Sequence, residues 1–568
     1  MTSSPPPGQP ESGANEMTTR FREVAERILD ALLENSPEWA SELGDHRFAD
    51  RLSDHSADAD TQRVATLADA LAALDEIDDT LLAPADHVDL EMLRSRVSAD
   101  LWRCTELRPH AWDPLEHLPG DAIYTLVARD GGLPAEERLR ALAARCRAVP
   151  DHLDTARRRL DDGPGMPRVH VETAASRAEG LMAMLGEEVD ALLETNPSLR
   201  GLVDPARHSA LEALREHTTW LRERAESATA DPRLGERHFA AQLWYTLDSE
   251  LSPDTLLTRA ESDLLGTEEE IAELAAEYDG KTRYPGQVRD VLDRIASEAA
   301  TSSDTVRPLC EEALAHLRDR VAALDLVSVP EDPVRVIPMP EARRGVSVAY
   351  CDPPGPLGTR SSDPTLVAVA PPPADWPAER RASFYREYNG TMLRTLMVHE
   401  GMPGHALQLS RSAGYTGGTR VRHALRSGTF VEGWAVYAEE AVALRGWTAS
   451  DSRDNLALRL IQLKMRLRVI CNAILDVRTH TRTITESDAL ALLTERGHQE
   501  DGEAAGKWRR ARLTSSQLST YYTGQWEVSA LVRDLTRTRT GAGTREIHDE
   551  LLAHGSPPPR HLRTLLGL

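Results

Sequence analysis

The chain has 568 residues and a formal net charge of −25, with 40% hydrophobic and 28% charged residues. That balance is ordinary for a soluble globular protein large enough for two domains, and it excludes a nucleic-acid binder, which needs a basic face to displace counterions. No run of about 18 apolar residues is present to cross a membrane, and the five scattered cysteines (Cys104, Cys146, Cys310, Cys351, Cys471) exclude a disulfide framework and a thiolate zinc site.

The opening stretch MTSSPPPGQPESGANEMTTR lacks an apolar signal core and is rich in Pro, Gly and Ser. Residues 1–19 are therefore expected as a disordered tail, and the cytoplasm as the location. From Phe21 to Leu326 amphipathic helical patterns follow one another. FREVAERILDALLE sets Phe21, Val24, Ile28 and Leu32 at helical spacing, and Ser36-Pro37 closes it. ERLRALAARCRAVPDHLDTARRRL, RGLVDPARHSALEALREHTTWLRERAES and TEEEIAELAAEYDG read the same way. No fixed period supports a solenoid. Residues 20–326 are expected as an N-terminal helical region.

The texture changes after Val327. VRVIP, VSVAY and TLVAVAPPP are short β-branched runs between Pro and Gly, and they predict two or three strands. Helical pattern resumes at Ala378 and continues to Leu568. Residues 327–568 are expected as a catalytic region, with one small sheet ahead of its chemical motif. The fold class is mostly α.

The motif is His399-Glu-Gly-Met-Pro-Gly-His405. A His-Glu pair on a helix suits a zinc hydrolase: the imidazole ligates, and the carboxylate faces the attacking water as general base. The usual second His lies four residues on, about 40° past a full turn and so on the same face; here the separation is six, about 240° past a full turn. Pro403 has no N–H for the carbonyl of His399, so the helix must bulge or break, and Gly404 permits the backbone to swing His405 back. A helix that ends at Met402, with His405 capping the next, is the alternative.

A third ligand is available in Phe430-Val-Glu-Gly-Trp-Ala-Val-Tyr-Ala-Glu-Glu440, where Glu432 follows His405 by 27 residues, room for a loop and a returning helix. Glu439 and Glu440 compete with it. Asn389 precedes Glu400 by 11 residues, within about 20° of the same helical face, and is either a lining residue or an exposed helix Asn.

Three ordered stretches then carry a resemblance: HEGMPGHALQ from His399 to Gln408, EGWAVYAE from Glu432 to Glu439, and QLSTYYTG from Gln517 to Gly524. Together they resemble the bacterial zinc-peptidase-like family called domain of unknown function eight-eight-five. The resemblance covers most of the chain, including LGDHRFADRLSD and ILDVRTH. It implies a large helical zinc-peptidase-like fold with a central channel, zinc held by His399, His405 and Glu432, and Glu400 as base. It also implies Tyr521 as hydrogen-bond donor to the oxyanion, with Tyr522 as the neighbouring alternative. Arg510 and His480 are candidates for substrate contact, with ion pairing or packing as the other reading. The chain departs from many relatives at Ser515-Ser516, where they carry Pro-Gly, and at Arg478, where they carry Gly.

The expected function is hydrolysis of amide bonds in short peptides or peptide-like small molecules by water activated on zinc. The rival is a non-catalytic helical binding protein that keeps a structural metal site. No recognisable terminus-binding group separates amino-, carboxy- and dipeptidase action, and nothing in the pattern specifies an oligomeric state.

Overall fold

Helices carry most of the chain, and several open on a side-chain cap, as at Ser56, Ser252, Asn389 and Ser427. The structure is a computed structural model that describes residues 9–128, 132–339, 348–358, 363–373, 376–450 and 452–568. The first helix, Gln9–Asn35, ends before the Ser36-Pro37 step, and Pro37 opens the next. Residues 9–19, expected as a tail, are the opening turns of that helix, while residues 1–8 lie outside the described residues. The Pro/Gly/Ser composition outweighed helix propensity in the sequence reading, but no proline falls after Pro10 in that helix to remove an interior hydrogen bond.

The three β-branched runs form one small sheet of β1 (Val334–Pro338), β2 (Ala349–Asp352) and β3 (Thr365–Val369), in the order β1-β3-β2. β1 runs parallel to β3 and β2 antiparallel to it. Residues 346 and 347 of the VSVAY run lie outside the described residues. The edge strand β2 packs beside the helices Gly390–Glu400 and His405–Ala413 that carry the motif.

The expected boundary at residue 327 does not coincide with a boundary of the core. One apolar core runs from Phe239 to Leu566 and joins Leu256, Ile295 and Leu317 to Met397, Phe430 and Leu518. The helices from Gly235 to Ala323 therefore pack with the motif helices. The change at Val327 is one of secondary structure, which composition reports; core membership depends on which faces meet, which composition does not report. Ahead of this core lie a cluster from Ala49 to Leu214 and another from Phe21 to Val97. The latter also takes in Val421, Ala424 and Leu425 from the segment between His405 and Glu432.

That segment is fastened by charge as well. Arg422 Nε donates to Asp89 at 2.6 Å, and both side chains are 1% exposed. Thr419 donates to the other Asp89 oxygen at 2.7 Å. A buried pair of this kind is costly to break from one side, because the survivor is left unpaired.

The helices Gly428–Ala443 and Gln517–Thr538 approach each other closely at a pair of glycines. A Cβ on Gly433 would stand 2.3 Å from the Gly524 carbonyl carbon, and one on Gly524 would stand 2.1 Å from the Thr429 carbonyl oxygen. Neither glycine tolerates a side chain without separating the helices, and Gly433→Ala should cost about 1–3 kcal/mol by overpacking. Denaturant unfolding measures it.

A second prediction comes from buried histidines in the N-terminal half. The His55 ring lies 4.2 Å from His110 and 5.4 Å from both His117 and His152, centroid to centroid. Burial pushes His55 and His152 below the ordinary imidazole range, His117 down to about 4 and nearby His217 to about 3. Each folded value lies below the unfolded value of 6.5, so the stabilisation is complete above that pH and is withdrawn as pH falls toward the folded values. For His117 alone the full loss is about 3 kcal/mol. Hydrogen exchange between pH 7 and 4 should show Ala135–Asp161 and Arg200–Ala225 losing protection before Gly428–Ala443; simultaneous loss would contradict it.

Candidate metal centre

The motif helix stops where proline requires it to. Gly390–Glu400 ends at Gly401 (φ −106°, ψ −106°), and His405–Ala413 begins after Gly404 (φ −72°, ψ −130°). Across the break Gly404 N–H donates to Val398 O at 2.9 Å, and buried Trp434 donates from its indole N–H to Pro403 O at 2.8 Å. Gly404 is needed for space: a Cβ there would lie 2.0 Å from His399 O and 2.4 Å from Val398 O. The turn folds back onto the last carbonyls of the helix, and only hydrogen fits between.

The break brings His399 and His405 together, with ring centroids 4.6 Å apart and planes at 84°. Glu432, in the first turns of Gly428–Ala443, completes the group. Its Oε2 lies 3.4 Å from Nε2 of His399 and 3.4 Å from Nε2 of His405. That oxygen is buried without a hydrogen-bond partner among the described residues. Tetrahedral zinc ligands at about 2.0–2.1 Å from the metal stand roughly 3.3–3.4 Å from one another. Two imidazoles and a carboxylate at this spacing fit zinc.

Glu439, read from the sequence as a rival ligand, has a supporting place instead. It accepts from His399 Nδ1 at 2.7 Å with its side chain 1% exposed, which orients the ring so that Nε2 faces Glu432. Glu440 is turned to Gln525, which donates to it at 3.1 Å. His405 Nδ1 is buried with no hydrogen-bond partner among the described residues. Burial opposes charge on His399, yet Glu432 and Glu439 hold it well above the usual imidazole range. Glu432 is buried too, and the two imidazoles pull it below the usual carboxylate range. Glu400 moves the other way: burial, with Glu432 and Glu439 nearby, raises it against the pull of the two histidines.

Tyr521 and Tyr522 are separated by geometry, because adjacent helix positions point about 100° apart. Tyr522 donates to Asp263 at 2.6 Å, away from the centre. Tyr521 lies within electrostatic reach of Glu432 and His399; burial, then Glu432, raises its phenol above the ordinary range. Arg510 donates to the Tyr521 oxygen at 3.2 Å, which leaves the phenol hydrogen to be donated elsewhere. Arg510 thus joins the centre through Tyr521.

Two other expected contacts are corrected. Asn389 is the N-cap of the motif helix: its Oδ1 accepts from Thr391 and Met392 N–H at 3.1 and 3.2 Å, and its Nδ2 donates to Arg386 O. His480 stacks on Phe239 and spans the Ala511 and Thr514 carbonyls at 3.0 and 3.1 Å, while Leu234 N–H donates to its Nδ1. Both are consumed by local structure. The Asn spacing argument assumed a helix through residue 389, and the helix begins at Gly390.

Asp476, which the sequence reading passed over, holds the start of the tyrosine-bearing helix. It is fully buried and accepts from the N–H groups of Ser516 and Ser519 and from the Ser519 hydroxyl. Ser516 takes a left-handed conformation there (φ 63°), and its hydroxyl donates to Thr246 at 2.6 Å. Arg478 pairs with Glu261 at 2.7 Å, part-exposed. A second group of ligand types, Asp79, His87 and Glu91, is half-exposed, and Arg94 already pairs with Glu91 at 2.8 Å and faces Asp79 at 3.6 Å.

A family model described as bacterial protein of unknown function (DUF885) matches residues 37–566. The chain belongs to that family. Its fold is similar to that of a candidate lipoprotein of unknown function from Shewanella oneidensis, with a TM-score of 0.79 and 24% identity over 96% of this chain and 100% of that one. A candidate lipoprotein from Colwellia psychrerythraea gives 0.79 at 15% identity, over 98% of each chain. No curated protein matches. No helix among the described residues is long and apolar enough to cross a membrane.

The close approach at Gly404 gives a test that touches no ligand. Gly404→Ala should weaken zinc binding about tenfold or more, since relieving the overlap moves His405 away from His399. Competition with a chromogenic chelator reads the affinity; an unchanged value would show that the turn does not set the ligand spacing.

Proposed function

We propose that this chain is a zinc-dependent hydrolase of amide bonds in short peptides or peptide-like small molecules, on a zinc-peptidase-like helical scaffold with a channel leading to the centre. The observation that carries the reading is the Glu432 carboxylate oxygen, buried, unpartnered and equidistant from two imidazole nitrogens. Bound there, zinc would polarise the scissile carbonyl and make water acidic enough to be deprotonated near neutral pH.

The rest of the chemistry falls to the chain's own groups. Glu400 is adjacent in sequence to His399, is buried, and forms no ion pair among the described residues. Its raised pKa suits a group that takes a proton from the attacking water and returns it to the leaving nitrogen. Tyr521, its oxygen already accepting from Arg510, donates its hydrogen to the oxyanion of the substrate. The edge strand β2 beside the motif helices offers backbone groups to an extended substrate. Residence in the cytoplasm belongs to the same proposal, supported by five free cysteines.

The rival reading, a binding protein with a structural metal, is separated from this one by Glu400. Protein purified without chelators should carry one zinc per chain, and His405→Ala should carry little. Glu400→Gln should keep zinc while turnover of a peptide library falls about a hundredfold or more. Loss of metal from that variant would make Glu400 a ligand and end the assignment. Tyr521→Phe should lower kcat far more than it raises KM, because the hydroxyl acts on the transition state. Tyr522→Phe should leave both unchanged; the reverse pattern would exchange their roles.

A further inference from the structure

Beside Tyr521 the cations outnumber the carboxylates that meet them. Lys507 and Arg510 lie three residues apart on the helix Asp501–Leu513, so their side chains leave it on one side. Lys507 is 7% exposed, and its nearest carboxylate, Glu503, is 3.8 Å from Nζ, too far for a hydrogen bond. Glu503 is already engaged: Oε1 by Arg468 and Oε2 by the Tyr388 hydroxyl at 3.0 Å. Arg510 donates to Gln517 and Tyr521 and forms no ion pair among the described residues.

The surrounding charges do not close the gap. Lys464 donates to Glu387 at 2.8 Å, and Arg468 lies 3.6 Å from the same residue. Glu500 is met by Arg386 at 2.7 Å. Among the described residues, Lys464, Arg468, Lys507 and Arg510 thus share only Glu387 and Glu503 as ion-pair partners. Burial, followed by Arg468, pushes Lys507 well below the usual amine range, as expected of an ammonium without its counter-ion. A buried amine without an acceptor favours its neutral form, and an arriving carboxylate supplies the counter-ion that favours the ammonium.

We propose that Lys507 and Arg510 form a subsite for a carboxylate of the substrate, one or two residues beyond the amide that is cleaved. The inference rests on the hydrolase reading and narrows it to removal of short C-terminal pieces or cleavage beside an acidic residue. The spacing follows from Arg510, 3.2 Å from the Tyr521 oxygen. An extended residue spans about 3.3–3.6 Å, so a carboxylate on the Lys507–Arg510 face is roughly one or two residues from a carbonyl held by Tyr521. The carboxylate is either the C-terminal one or an acidic side chain.

The test is calorimetric binding to full-length Glu400→Gln protein, as purified, of four probes: N-acetyl-trialanine, its C-terminal amide, and the two amides ending in aspartate or asparagine. The free acid or the aspartyl amide should bind at least about tenfold more tightly than its uncharged partner. Adding Lys507→Met or Arg510→Met should reduce that preference to less than about threefold, while Lys507→Arg should retain most of it. Preference for the free acid alone assigns the C-terminal carboxylate, and preference for the aspartyl amide alone assigns the side chain. Equal binding of all four, binding of none at millimolar concentration, or a preference that survives substitution of the cations would overturn the subsite. Should Lys507→Met fail to fold by circular dichroism, Arg510→Met decides. Turnover of the same peptides by the wild-type protein is read separately: an intact preference without cleavage would remove the hydrolase reading and leave the subsite standing.

Discussion

Two imidazoles six residues apart can share one carboxylate oxygen only if the helix between them is broken, and much of the site is arranged around that break. Proline removes the hydrogen bond that would continue the helix, and Gly404 lets the turn lie against the carbonyls of Val398 and His399. The indole of Trp434 holds the turn from outside through Pro403 O. Trp434 is two residues from Glu432, so the helix that carries the third candidate ligand also clamps the turn between the first two. Glu439, two turns further along, fixes the His399 ring. One helix therefore sets ligand, turn and ring orientation together.

The same helix meets the tyrosine-bearing helix backbone to backbone at Gly433 and Gly524. Glu432 precedes one of these glycines, and Tyr521 lies one turn before the other. A glycine contact is short and leaves little freedom to slide, so the distance from Tyr521 to the ligands is governed by main chain more than by rotamers. Asp476 reinforces this by binding the first N–H groups of the tyrosine-bearing helix. Hydrogen bonds donated by a helix start to a buried carboxylate favour both the charge and the helix.

The break could be read in the sequence because proline and helical pitch are local rules: spacing, Pro403 and Gly404 together demanded a non-helical turn. The small sheet and the end of the first helix at Ser36-Pro37 were legible for the same reason. Glu432 emerged as a candidate, but its separation from Glu439 depended on which face of a helix meets a partner, which a single sequence does not record. Asn389 and His480 were left open between a lining role and a structural one, and both are polar residues satisfied by backbone groups, one at a helix start and the other between two carbonyls. The boundary at residue 327 failed because a change of texture is not a change of core. Lys507 carried no signal at all; a lysine on a charged helix reads as solvated, and only packing shows that it is not.

The buried Arg422–Asp89 pair has a consequence for the candidate metal centre. Between His405 and Glu432 the chain must leave the centre and return, and a free segment of that length would pay loop-closure entropy each time the third donor was presented. Tied at Arg422 to the N-terminal helices, the segment has already met that cost in folding. In coordination terms, the first helices of the chain would act as the rigid backbone of a chelate: they hold none of the three candidate donors, yet they would raise the effective concentration of the third one at the site. The N-terminal half is then part of the ligand set's preorganisation, although its residues are far from the donors in sequence.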